Sequence, residues 1–434
     1  MSTTLYRVRA LDTPADPFAG GELRADDDVT LAVSEGRIVG RGPLAGARQE
    51  HPGAEVVDLR AGLLLPGFVD AHVHYPQVRI VGALGMPLLR WLQEVALPEE
   101  ARLSDRTHAA AVAGEFLTGL RRSGTTTALV FGSHFAGAVD ELMGQAAAAG
   151  QRVVAGQVVS DRLLRPELHT DPARALAEGS ALIDRWHGRG LLGYAVTPRF
   201  SLSASDALLE VCAELLGRAE GVLFTSHVNE STEEISEVLR LFPQDRDYLS
   251  TYARHGLVGP HSVLAHDVHP TAAELDLLGR SGATVAHCPT SNAVLGSGLF
   301  PMRRHLERGV HLALGSDVGA GTGFGLLKEG LQAYLGQRLL GEEGWPLTPA
   351  QLLHLATAAG ARALGLGGRV GELSVGHDFD AVLVGPGEGS LLALALRHAR
   401  DADDAVGRLF VLGGPADVAR VWVAGRELDL GPAG

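Results

Sequence analysis

At 434 residues, with 46% hydrophobic and 20% charged residues, the chain has an ordinary globular balance and room for one large domain plus a smaller one. A net charge of −14 argues against a nucleic-acid or anionic-membrane surface, which needs clustered basic side chains, so neither partner is expected. Two cysteines, Cys212 and Cys288, give no disulfide framework. The first residues show no charged-then-apolar leader, and no apolar run nears the ~20 residues of a membrane span, so a soluble cytoplasmic protein is expected.

Residues 1–62 read as short β signals and turns, such as Val29-Thr30-Leu31-Ala32-Val33, then Ser34-Glu35-Gly36, then Arg37-Ile38-Val39-Gly40. From 63 to 365 short apolar runs alternate with amphipathic, Ala/Leu/Glu-rich stretches. Strands are expected over 63–74, 125–131, 152–159, 191–197, 222–227, 262–266, 284–287 and 311–317. Helices are expected over 106–121, 206–218, 272–280 and 326–339, among others. Eight strands, each followed by a helix, predict an α/β fold of the (β/α)₈ TIM-like barrel type. A doubly wound open sheet competes, but no Gly-x-Gly-x-x-Gly turn follows the first strand. Over 366–434 the β and turn style returns, with Asp380-Ala381-Val382-Leu383-Val384 and Val421-Trp422-Val423. The two terminal segments, 1–62 and 366–434, are therefore expected to form one small β-sandwich, with the barrel of 63–365 between them.

In a parallel barrel the functional groups sit at the C-terminal ends of the strands. The first strand ends in Asp70-Ala71-His72-Val73-His74, and alternation puts His72 and His74 on one face. The fifth ends in His227 with Glu230 three residues on, the sixth in His266, and the eighth in Asp317. Each alone also reads as a buried histidine with a hydrogen-bond partner, or as an aspartate capping the next helix. All of them together at strand ends point to a shared site. Three imidazoles, His72, His74 and His227, with the Asp317 carboxylate suit Zn²⁺, with Fe²⁺ or Mn²⁺ as alternatives. Such an ion lowers the pKa of a water from 15.7 toward ~7. Glu230 is placed to shuttle a proton and His266 to orient the attacking hydroxide, so Glu230, His266 and Asp317 are the expected catalytic residues. The expected reaction class is metal-activated hydrolysis.

This pattern of His-x-His, fifth-strand His, sixth-strand His and eighth-strand Asp resembles the amidohydrolase superfamily. Members with two metals generally need a carboxylated lysine on the fourth strand, and 191–197 contains none, so the resemblance implies the one-metal deaminase branch. Pro66-Gly67-Phe68-Val69-Asp70-Ala71-His72-Val73-His74-Tyr75-Pro76-Gln77 resembles the guanine deaminase form of the first motif. Thr197-Pro198-Arg199-Phe200-Ser201-Leu202-Ser203, His227-Val228-Asn229-Glu230, Ala286-His287-Cys288-Pro289-Thr290-Ser291-Asn292 and Gly315-Ser316-Asp317-Val318-Gly319-Ala320-Gly321 are similar to further segments of those enzymes. The resemblance runs over nearly the whole chain and implies a homodimer that turns guanine into xanthine and ammonia in purine catabolism. It implies Gln77, Arg199, Phe200, Glu230 and Asn292 as substrate-binding residues. The chemistry of guanine agrees: the Arg199 fork suits the O6 and N7 acceptors, Gln77 offers a donor and an acceptor to a mixed edge, and Phe200 packs on the ring. The same residues also read as a barrel-rim ion-pair arginine, a loop glutamine and a core phenylalanine. Water would then attack C2, Glu230 would protonate N3, and ammonia would leave. The rival readings are a related deaminase of 8-oxoguanine, an adenosine-like compound or an s-triazine, and a non-catalytic barrel scaffold.

Other polar residues read more plainly. His134 is expected in a structural position at a strand end, His287 as pocket wall or core, His269 in a loop, Cys288 as a buried thiol, and Lys328, the only lysine, as a solvated helix residue. Val95-Ala96-Leu97 before Pro98, and Leu163 after Asp161-Arg162, depart from the family pattern and are expected near the pocket mouth.

Overall fold

The computed structural model describes residues 3–431. Two sheets organise them. The first eight-stranded sheet draws on both ends of the chain: β1 (Thr4–Asp12), β2 (Arg24–Ser34), β3 (Arg37–Gly42), β4 (Glu55–Asp58) and β5 (Leu63–Pro66) from the beginning. The second sheet carries the barrel strands β6 (Phe68–His74), β7 (Thr125–Phe131), β8 (Arg152–Gly156), β9 (Val158–Val159), β10 (Leu192–Pro198), β11 (Leu223–Val228), β12 (Ser262–His266), β13 (Thr284–His287) and β14 (His311–Leu314). The chain then returns to the first sheet with β15 (Ala381–Val384), β16 (Val418–Val423) and β17 (Arg426–Glu427).

All ladders of the second sheet are parallel, in the order β6-β7-β8-β10-β11-β12-β13-β14, with the short β9 beside β10. Closure comes just past β14. The Asp317 N–H donates to the His72 carbonyl at 2.9 Å, and the His74 N–H donates to the Val318 carbonyl at 3.1 Å. This is the expected (β/α)₈ barrel, and its seam runs through the residues of the candidate site. The outer helices form for ordinary reasons. In Arg106–Arg122, Ala109, Val112, Ala113, Phe116, Leu117 and Leu120 recur at helical spacing and are buried, while the Asp105 carboxylate caps the Thr107 and His108 N–H groups. Ala272–Ser281 opens with a capping box between Thr271 and Glu274. Helix and strand ends otherwise agree with the sequence reading to within a few residues.

Two apolar runs resolve differently from that reading. The run 63–74 is two strands, because β5 leaves the barrel and pairs antiparallel with β15 and parallel with β1. The break falls at Gly67, where a Cβ would lie 2.2 Å from the Thr126 side chain. Likewise 152–159 is interrupted at Gln157, giving β8 and β9. The terminal segments form one continuous sheet joined through β5, which lies between β15 and β1, around a core that includes Val8, Leu31, Ile38 and Leu64. In that core Tyr6 stacks on Phe379 at 4.9 Å and meets Trp422 edge-on at 5.7 Å. A buried ion-pair cluster ties the two sheets together: Arg152, at the start of β8, contacts Asp378 at 3.0 Å and Asp380 at 3.2 Å. Among the described residues no helix is long and apolar enough to cross a membrane.

Candidate active site

The strand ends deliver the site through a backbone that most residues avoid. His266 (φ 76°), Asp317 (φ 48°) and Asn229 (φ 50°), the last just before Glu230, all lie in the left-handed region. Such a conformation costs a side-chain-bearing residue about 1–3 kcal/mol and persists only where its surroundings over-determine it. Those surroundings are visible. Asn229 donates to Asp267 at 2.8 Å and to Glu274 at 3.1 Å, and the Asp267 N–H bonds back to the Val228 carbonyl at 2.9 Å. Asp70, buried beneath the histidines, accepts from the N–H groups of Ser316 (3.0 Å) and His72 (3.2 Å), so it joins the first and eighth strands. Burial pushes its carboxyl up to about 7.

Four donor atoms crowd together at the barrel mouth. His74 Nε2 lies 3.1 Å from His72 Nε2 and 3.2 Å from His227 Nε2, and Asp317 Oδ1 lies 3.2 Å from His74 Nε2 and 3.3 Å from His72 Nε2. The His227 ring is fixed from behind, where Nδ1 donates to the Arg199 carbonyl at 2.6 Å, so its Nε2 presents a lone pair. Burial depresses all three imidazoles, His74 to about 4, and keeps them neutral. Burial would raise Asp317, but its contacts with His72 and His74 outweigh that and hold it well below the usual carboxylate range. Neutral nitrogens aimed at one another at these separations, with one carboxylate, repel unless a cation lies between them. Ligands ~2.1 Å from a tetrahedral centre stand about 3.4 Å apart, so the donor set fits a transition-metal ion of zinc size. The Phe131 ring supports the cluster, 4.9, 4.7 and 4.5 Å from the rings of His72, His74 and His227.

A cavity opens onto this cluster, lined by His74, Gln77, Leu88, Trp91, Leu92, Arg199, Phe200, His227, Glu230, His266, Leu295, Asp317 and Ala320. Glu230 Oε2 lies 3.6 Å from His266 Nε2, and its Oε1 accepts from the Ser297 hydroxyl at 3.3 Å. Burial, aided by the Asp317 charge, pushes Glu230 up to about 8. Gln77, Arg199 and Phe200 share the wall, and the Arg199 guanidinium lies 6.0 Å from the Phe200 ring centre.

Asn292 departs from its expected place. It sits on the short helix Pro289–Val294 with its side-chain oxygen 2.9 Å from His266 Nδ1, and it is not part of the cavity wall. The helix aims it at the histidine. His134 is buried between Glu100 and Ser160, His269 donates to the Ser297 carbonyl at 2.7 Å from a loop, and His287 stacks on Phe300 at 4.3 Å. Leu163 is exposed, and of the divergent stretch near Pro98 it is the neighbours Trp91 and Leu92 that reach the cavity. Sequence reasoning missed the apolar lining, Leu88 and Leu295 included, and it missed Glu100. That residue is 2% exposed, accepts from Gln77 and Arg199, and follows Pro98-Glu99 with no motif to announce it.

Comparison with known proteins adds the family. Residues 63–428 match the model of the amidohydrolase family. A protein of Deinococcus radiodurans described as a probable guanine deaminase is 61% identical over 427 residues, covering 97% of each chain. The guanine deaminase of Bradyrhizobium japonicum superposes with a TM-score of 0.94 at 31% identity, over 99% of both chains. The C. acetobutylicum guanine deaminase, solved with guanine bound in its active site, superposes with a TM-score of 0.91 at 25% identity, over 99% of this chain and 100% of that one. The chain belongs to the amidohydrolase family. Within that family, the relatives just described stand among the guanine deaminases.

Proposed function

We propose that this chain is a metal-dependent guanine deaminase that converts guanine and water into xanthine and ammonia. The observation that carries the reading is that three of the four metal-type donors, His74, His227 and Asp317, line one cavity with Glu230, Gln77 and Arg199, while His72 completes the donor set from behind them. His72, His74, His227 and Asp317 are the residues that would hold the ion, and three imidazoles with one carboxylate favour Zn²⁺ over Fe²⁺ or Mn²⁺. When bound, the ion supplies Lewis acidity that brings the pKa of water down toward ~7.

The chain's own side chains do the rest. Arg199 offers planar donors to the O6 and N7 edge of the base, and Gln77 offers one donor and one acceptor to a mixed edge. Phe200 packs against the ring. Glu230 takes a proton from the attacking water and delivers it to N3 as C2 becomes tetrahedral; the remaining proton, on the new C2 hydroxyl, then passes to the exocyclic amine, so that the C–N bond breaks, ammonia leaves and the C2 carbonyl forms. A carboxyl near 8 both gives and takes a proton close to neutral pH. His266, held by Asn292, faces Glu230 and Asp317 and orients the attacking oxygen. The unpaired thiols Cys212 and Cys288 fit a reducing compartment such as the cytoplasm, and the homodimer is read from the family resemblance.

The test is ammonia release from guanine, 8-oxoguanine, adenine, cytosine and an s-triazine, with and without a chelator. Chelator-sensitive turnover of guanine above the others is expected. Turnover of another ring with guanine untouched rejects the substrate.

A further inference from the structure

Behind the cavity wall, on the helix Leu97–Ala101, the buried Glu100 carboxylate touches both side chains assigned to the purine edges. Its Oε1 accepts from Gln77 Nε2 at 2.8 Å and from Arg199 Nη1 at 2.8 Å, and its Oε2 accepts from Arg199 Nη1 at 2.7 Å. His134 Nδ1 stands 3.4 Å from the same Oε2. Glu100 does not line the cavity, so it reaches the substrate space only through these neighbours.

Two consequences follow from elementary electrostatics. The Gln77 amide oxygen accepts from the Gly319 N–H at 3.2 Å while its nitrogen faces Glu100. A flipped amide would set oxygen against carboxylate and N–H against N–H, so the orientation is locked. The second consequence concerns charge. Burial would raise Glu100, but Arg199 and His134 hold it well below the usual range, so an anion sits against the guanidinium. Arg199 therefore shows the cavity its N–H fork without a net positive charge.

We propose that Glu100 is a positioning and specificity-determining residue, which locks the Gln77 amide and cancels the Arg199 charge so that the wall favours a neutral purine over an anionic one. The inference rests on the guanine reading and deepens it.

The experiment compares the metal-loaded wild type with Glu100→Gln, which keeps the shape and removes the charge. Three quantities are read: metal content, kcat and KM for guanine, and inhibition by xanthine at one pH where it is neutral and one where it is a monoanion. In Glu100→Gln the KM should rise about tenfold or more with a smaller change in kcat, and inhibition should swing toward the monoanion. Metal content should stay that of the wild type. Unchanged KM together with an unchanged ranking of the two xanthine forms overturns the proposal, as does a fall in kcat that simply tracks lost metal. If Glu100→Gln does not fold, Glu100→Asp keeps the charge and withdraws it from Gln77. It should raise KM while still disfavouring the monoanion, and an unaltered KM overturns the proposal. A wild type silent on guanine sinks the guanine reading instead, so the two failures are distinguishable.

Discussion

Asp317 and His72 are joined twice: the Asp317 backbone N–H donates to the His72 carbonyl at 2.9 Å, and its carboxylate Oδ1 lies 3.3 Å from His72 Nε2. The hydrogen bond that closes the barrel thus also sets the spacing of two metal-type donors. Gly315 makes this approach feasible, since a Cβ there would meet His72 Cβ at 2.8 Å and both Cys288 Sγ and the His72 carbonyl at 3.0 Å. Gly315→Ala should therefore destabilise the fold by about 1–3 kcal/mol and lower metal occupancy. Urea unfolding and elemental analysis of the purified variant check this, and wild-type values in both would show that the seam tolerates the extra carbon.

Glu230→Gln should bind metal and unfold like the wild type yet lose about 10²–10⁴ in kcat, the usual share of a proton-transferring group. Its carboxyl lies near the donor cluster, 3.6 Å from His266, but contributes none of the four crowded donors. Steady-state kinetics on guanine beside metal analysis decides it, and near-normal turnover removes Glu230 from the proton path.

Arg199→Ala takes the fork from the cavity wall and leaves the buried Glu100 without its 2.7 Å partner. The expected result is a KM for guanine raised at least tenfold, together with lower stability from the stranded carboxylate. The Arg199 carbonyl that positions His227 belongs to the backbone and survives the exchange, so metal content should hold. Kinetics indistinguishable from wild type would place Arg199 outside substrate recognition.

Much of this site was legible because metal ligation demands particular side chains and a β-strand places them by simple alternation. His72 and His74 needed only a strand end, and His227, His266 and Asp317 needed only that barrel strands end at one mouth. Glu100 was not legible, since it reaches Gln77 and Arg199 from the irregular helical segment between β6 and β7, where tertiary packing and no local period sets direction. The place of Asn292 was half legible for the same reason: a polar residue after β13 was plain, the side of its helix facing His266 was not. In the fold, a largely apolar run could not reveal that Leu63–Pro66 and Phe68–His74 join different sheets, because both environments bury both faces of the strand.

Removing the ion should cost both activity and stability. The buried neutral imidazoles of His72, His74 and His227 face one another at 3.1–3.2 Å, an arrangement that favours the folded state when a cation lies between them. A ligand held at a thousandfold excess over its Kd stabilises by about 4 kcal/mol, so the chelated protein should melt several degrees lower. Zn²⁺ added back should restore both properties. Calorimetry and activity measured on the same sample test this, and a chelated protein with unchanged Tm and turnover contradicts a resident metal.

Two buried carboxyls away from the donor cluster predict how stability depends on pH. Burial pushes Glu329, which accepts from the Thr290 N–H at 3.0 Å and its hydroxyl at 2.7 Å, up to about 8. Glu234 is pushed up to about 7, first by burial and then by Glu230. In the unfolded chain both carboxyls titrate near their ordinary 4.5, so the native state holds more protons between that value and its own higher one. Their stabilising contribution is complete below pH 4.5 and is lost as pH rises through about 7 and 8, with a slope of up to about 1.4 kcal/mol per pH unit for each group. Glu329→Gln cannot ionise, and the Thr290 hydroxyl can reverse its role to accept from the new amide. Urea midpoints of this variant should therefore fall less steeply than those of the wild type between pH 5 and about 8. Parallel curves would mean that Glu329 is already ionised in the native state.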